Sequence, residues 1–185
     1  MANKVLLLMD LQNAILQMAN AKDNYYEKIN NVISYARKEL IPVIFVVVKF
    51  RKNYPEINSN NKSFNSIKSM GFSFEDNSEL VQISPKIDCN PDDIIITKRR
   101  VSAFSGSDLE IILKSQNINH LVLTGIATSG VVLSTIREAC DKDYQVTVIE
   151  DCCLDMDDEV HRVLTEKIFP KQASVIKAEQ FILGK

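Results

Sequence analysis

A three-layer α/β/α domain around a six-stranded parallel sheet, with a Rossmann-like strand order of 3-2-1-4-5-6, is the fold class this 185-residue sequence predicts. Three observations carry that expectation. Short, continuous apolar runs recur along the chain, as in strands buried on both faces of a sheet. Segments with helical spacing separate them, and strands that alternate with helices form parallel sheets through right-handed crossovers. Polar residues also cluster where the apolar runs end. In this strand order the chain reverses its progression between strands one and four, and ligands bind in the crevice that opens there at the carboxyl ends.

The run Val5 to Met9 ends at Asp10 and reads as strand one. Asn24 to Leu40 places Ile29, Val32, Ile33, Ala36 and Leu40 at helical spacing, and Pro42 blocks continuation. The β-branched stretch Val43 to Val48 is strand two. It is followed by about 40 residues, Lys49 to Asp88, rich in Asn and Ser with few periodic apolar positions. Irregular loops longer than about 12 to 15 residues are uncommon unless they serve function, so this excursion is expected to form a lid or pocket wall. Asp93 to Thr97 is strand three, Asp108 to Leu113 a helix, and His120 to Thr124 strand four, interrupted at Gly125. Val131 to Cys140 is helical, Val146 to Ile149 is strand five, Asp157 to Phe169 is a helix stopped by Pro170, and Ser174 to Ile176 is strand six. Neither linker nor repeat interrupts the alternation, which implies a single domain over residues 1–185.

Composition narrows the function classes. A net charge of -2 argues against a general nucleic-acid binder, which concentrates Lys and Arg to displace phosphate counterions; only Lys98, Arg99 and Arg100 form a basic cluster. The longest apolar runs fall far short of the ~20 residues that span a bilayer. Without a leader-like start, a cytoplasmic location is expected. Cys89, Cys140, Cys152 and Cys153 lack metal-type spacing and are expected to be reduced thiols.

Three polar features fall at strand carboxyl ends beside the crevice: Asp10 after strand one, Lys98 after strand three, and Gly125 to Gly130 after strand four. Taken singly, the carboxylate would read as a helix cap and the lysine as a solvated side chain. Together they mark a site.

With MDLQN at Met9 to Asn13, TKRRVSAF at Thr97 to Phe104, TGIATSGVVLSTIREA at Thr124 to Ala139, EDCCLD at Glu150 to Asp155 and the later His161, the sequence resembles the isochorismatase-like hydrolase superfamily over nearly its whole length. That resemblance implies an Asp, Lys and Cys triad, of which Asp10 and Lys98 match the first two members. The cysteine position falls on Val131, which has no nucleophilic atom. True isochorismatases also lack this cysteine and cleave a vinyl ether with the aspartate as acid, a route open to this chain. Metal-binding relatives have an Asp-x-His pair after strand two, where this chain reads Phe50-Arg51-Lys52, so no metal and no cofactor are expected.

The resemblance further implies a cis peptide between Ile126 and Ala127, and backbone N–H groups at the start of the following helix that favour an anion or oxyanion around Thr128 and Gly130. Phe104 is expected to line the same pocket, with core packing as its alternative. Gln12 is expected to bond Asp10 or ligand, with a helix-terminus role as its alternative. His161 reads as a packed or surface histidine, and Asp151 and Asp155 as turn or cap residues. If Lys98 pairs directly with Asp10, the carboxyl is expected to be held below its ordinary value of about 3.9, and an acid role would require Lys98 to turn toward the ligand.

The functional expectation is a hydrolase acting on a small, possibly anionic metabolite through Asp10 and Lys98, in a homo-oligomer (dimer or tetramer) as in the family. A ligand-binding protein that has lost catalysis and a divergent amidase using activated water are the alternatives.

Overall fold

The computed structural model describes residues 3–69 and 71–184, and it forms one sheet of six parallel strands in the order β3-β2-β1-β4-β5-β6. The strands are β1 (Lys4–Met9), β2 (Val43–Val48), β3 (Ile94–Lys98), β4 (His120–Ile126), β5 (Gln145–Leu154) and β6 (Ser174–Ile176). Helices α1 (Asn13–Met18), α2 (Asp23–Lys38), α3 (Lys62–Ser69), α4 (Leu109–Ser115), α5 (Leu133–Asp141), α6 (Asp158–Val163) and α7 (Ala178–Ile182) connect or follow them.

The apolar runs are continuous because both sheet faces are covered. In β1, Leu6 and Leu8 belong to the core layer that holds Ile29, Val32 and Ile33 of α2. Val5, Leu7 and Met9 belong to the opposite layer, with Leu113 of α4 and Ile136 of α5. Alternation of side chains along a strand thus feeds two separate cores, and no position of β1 between Val5 and Met9 is free to be polar. Among the described residues, no helix is long and apolar enough to cross a membrane.

Several elements differ from the sequence expectation. The Lys49 to Asp88 excursion is not irregular throughout: it contains α3 and a single 3-10 turn over Glu79–Val81. It is also tied down, since Phe50 N–H donates to Phe74 O at 2.8 Å and Asp76 N–H donates to Phe50 O at 2.7 Å. The helix expected over Asp157 to Phe169 divides into α6, a π-type turn over Leu164–Ile168 and a 3-10 turn over Phe169–Lys171. Pro170 removes a backbone donor, and the Thr165 hydroxyl donates back to His161 O, so an undisturbed ladder is not available there. Strand β5 runs well past Ile149 to Leu154, with its register against β4 shifting between Leu123 and Gly125. Helix α1 has only 6 residues, too few to show a helical period in the sequence.

The pairing of β1 with β4 positions everything at the crevice, and it is tightest at Gly125, opposite Met9. Gly125 has φ +145°, and a Cβ there would lie 2.4 Å from Met9 O. Both the backbone conformation and the space exclude a side chain. Gly125→Ala is therefore expected to destabilise the fold by ~2 kcal/mol or more, read as a lowered urea midpoint at unchanged m-value.

Candidate active site

Asp10 follows the last residue of β1 in a left-handed conformation, φ 60°, that Asp tolerates better than a branched residue, and its N–H is fixed to Val46 O of β2 at 2.8 Å. Lys98 is the last residue of β3, opposite Val48 of β2. One strand separates β3 from β1, so two inter-strand spacings of about 4.8 Å lie between the two backbones, a span only a long side chain bridges. The Lys98 stem passes over the carboxyl end of β2, and its Nζ reaches Asp10 Oδ2 at 2.9 Å. The ammonium also donates to Arg100 O at 3.1 Å.

The pair is almost sealed, with Asp10 5% and Lys98 1% exposed. Asp10 Oδ1 is buried and has no hydrogen-bond partner among the described residues. Burial is the largest influence on this carboxyl and raises its pKa above the ordinary 3.8; the neighbouring Lys98 charge and hydrogen bond pull the other way and do not outweigh it. The expectation that direct pairing would hold Asp10 below its ordinary value is thus corrected: the pair forms, and desolvation prevails because water reaches neither oxygen freely.

Across β1 from Lys98, the chain leaves β4 through a cis peptide between Ile126 and Ala127 and enters a π-type turn, Thr128–Val132, that continues into α5. Val131 on this turn is buried, and it lines one cavity of about 270 Å³ together with Asp10, Lys98, Ile126, Ala127 and Gly130. The turn's backbone donors are largely committed. Ser129 N–H donates to Asp155 Oδ2 at 2.7 Å, and the N–H groups of Gly130 and Val132 both donate to Ala127 O. The Ser129, Gly130 and Val132 N–H groups are therefore not free to bind an anion. Thr128 is buried with its hydroxyl 2.8 Å from His161 Nδ1, facing α6 and not the cavity. Asp155, from after β5, and His161, from α6, together grip the turn that carries Val131.

The far wall of the cavity comes from the excursion, through Ser63, Phe64 and Ile67 of α3 and Phe74, with Ile15 and Met18 from α1 and Met156 after β5. Phe104 takes no part. It lies in the opposite core layer, its ring 5.7 Å from that of Tyr144 and its face under the Lys142 ammonium, so the core-packing alternative holds; from that segment Val101 reaches the cavity instead. Gln12 is also absent from the cavity lining. Its fully buried amide accepts from Val48 N–H at 2.8 Å and donates to Val48 O at 2.9 Å and Val81 O at 2.6 Å. Its work is to clip the end of β2 to the excursion, which only the three-dimensional arrangement reveals.

None of the four cysteines lines this cavity, and all are free thiols. Cys152 and Cys153 are buried, and burial pushes the Cys153 thiol up to about 12. A thiol so shielded is not a nucleophile at neutral pH. Among the described residues no group of three or more His, Cys, Asp or Glu converges as a metal site would require; His120 stands at the other end of β4, bonded to Thr147 Oγ1.

A family model for the isochorismatase domain matches residues 4–180. The chain belongs to the isochorismatase-like hydrolase family. It is 30% identical over 177 residues to the uncharacterized isochorismatase family protein YwoC of Bacillus subtilis, covering 96% of this chain and 91% of that protein. It is 28% identical to the ureidoacrylate amidohydrolase RutB of Pseudomonas syringae, covering 95% of this chain and 77% of that one. Among solved structures, an isochorismatase family protein from Burkholderia thailandensis superposes with a TM-score of 0.84 at 26% identity, over 98% of this chain and 94% of that chain.

Within this hydrolase fold, the raised carboxyl is directly measurable. Carbon NMR of the Asp10 carboxyl should show titration above 3.8, and Lys98→Met should move it higher still, because the substitution removes the influences that lower it. The sign for stability follows: the native state holds this proton more tightly than the unfolded chain does, so Asp10's contribution is full below the unfolded pKa and is lost as pH rises through the folded one. Titration of wild-type Asp10 below 3.8 would contradict the dominance of burial.

Proposed function

We propose that this protein is a hydrolase of a small metabolite that works without a covalent enzyme intermediate, with Asp10 supplying the proton that activates an acid-labile bond such as a vinyl ether. The observation that carries the reading is the buried Asp10 carboxyl, its pKa raised by burial and its Oδ1 without a partner among the described residues, in a cavity where Val131 stands in the nucleophile's place. Substrate binding dries the cavity further and favours the protonated form. Transfer of that proton to the terminal vinyl carbon makes the neighbouring ether carbon electrophilic; water adds to that carbon, one of its protons passes to the ether oxygen and the other returns to Asp10 as the carbon–oxygen bond breaks, leaving a carbonyl compound and an alcohol. The carboxylate left behind forms 2.9 Å from the Lys98 ammonium, which stabilises the charge as it develops. Lys98 thereby assists the acid without turning toward the ligand.

The amidase reading has its own support in the RutB relative, an amidohydrolase, and in the Asp10 carboxyl at the cavity, which in the ionised state can act as a base toward a bound water. The two assign Asp10 opposite protonation states, so pH separates them. A screen of metabolites against wild type should find turnover whose kcat/KM is constant at low pH and falls as pH rises through the Asp10 pKa. Lys98→Met should shift that fall to higher pH, and Asp10→Asn should lower kcat/KM by roughly 10²-fold or more. A rate that instead rises with pH through the same pKa assigns Asp10 as base and overturns the acid reading.

A further inference from the structure

We infer that the ligand of this cavity is an uncharged molecule with an apolar body and a single polar group directed at Asp10, in place of the anionic metabolite the sequence allowed; this rests on the proposed use of the Asp10 site. Among the described residues lining the cavity, only Asp10, Ser63 and Lys98 carry polar side chains. Its walls are Met18, Phe64, Ile67, Phe74, Val101 and Met156. The space, about 270 Å³, exceeds the roughly 150 Å³ of an apolar cavity that admits a benzene ring.

Charge decides against an anion. Lys98 is the one cation in the described lining, and its ammonium is already committed: Asp10 Oδ2 lies at 2.9 Å, Arg100 O at 3.1 Å, and the residue is 1% exposed. A carboxylate entering the chamber would leave water for a wall of thioether and aromatic groups and find Lys98 already paired, while an ionised Asp10 would meet it as a like charge. It would bind only if Asp10 took up a proton at the same time. A neutral molecule incurs no such penalty: its body replaces water against the apolar wall, and one hydrogen bond to the Asp10 carboxyl can form in either protonation state.

The test uses benzamide and benzoate, equal in size and different in charge, titrated into the full chain by calorimetry and by NMR shift mapping near pH 7.5. Benzamide should bind saturably, with shifts centred on Ile67, Ile126 and Val131, and at least roughly tenfold more tightly than benzoate. Ile67→Asp, on the rim helix α3, should weaken benzamide by a similar factor, with thermal unfolding checking that the variant is folded. Asp10→Asn should retain benzamide binding even where turnover is lost, so failure of the acid mechanism leaves this result standing. The inference is overturned if benzoate binds as tightly as benzamide, if benzoate tightens tenfold per unit fall in pH through proton uptake at Asp10, or if benzamide shifts map outside the cavity.

Discussion

Asp10 and Lys98 belong to strands that do not touch, and the ammonium meets the carboxylate only by crossing over the end of β2. The strand ends must therefore be level with one another. Gln12 provides that for β2 by clipping both backbone groups of Val48, while the Asp10 N–H bond to Val46 O does the same for the end of β1. Breaking the pair by removing one partner would leave a buried charge uncompensated, which is more unfavourable than the net worth of the pair itself. The surrounding elements are best understood as holding these two groups together and keeping water from them.

The other side of the crevice depends on a different constraint, the contact between Met9 and Gly125, where two backbones approach too closely for a Cβ. Beyond it the chain turns sharply through Ala127 and presents Val131 to the cavity. That turn does not hold itself. Asp155 and His161, from the end of β5 and from α6, fix Ser129 N–H and the Thr128 hydroxyl. The long extension of β5 past Ile149 carries Asp155 to that point, so the register shift near Gly125 bears on the site as well as on the sheet.

An apolar residue at position 131 changes the electrostatics as well as the chemistry. A thiolate there would be a like charge near Asp10 and a consumer of its proton. Valine is neither, and it leaves burial and Lys98 as the opposing influences on the carboxyl. The cavity that results is apolar on nearly every described face, with its polarity concentrated in one internally neutralised pair. Such a surface selects ligands by shape and by one hydrogen bond, in contrast to sites that capture anions by free Arg or Lys.

Strand order, layer architecture and the placing of Asp10 and Lys98 at strand ends follow from local pattern, continuous apolar runs, helical spacing between them and polar residues where runs stop, whereas Val131 stands out only through resemblance to the family. These features are written residue by residue, because burial on both faces leaves a strand no choice of composition. Phe104 and Gln12 show where local pattern ceases to decide. Both sit next to site motifs, yet the direction of each side chain is set by what packs against it: Tyr144 and Lys142 hold the first, and Val48 and Val81 the second. The tertiary structure alone decided that the Lys49 to Asp88 excursion closes the cavity with α3, that Ser129 N–H in the turn after β4 is taken by Asp155, and that burial outweighs Lys98 at Asp10. Each is a consequence of contacts between residues far apart in sequence, and desolvation in particular belongs to the assembled surroundings and to no single residue.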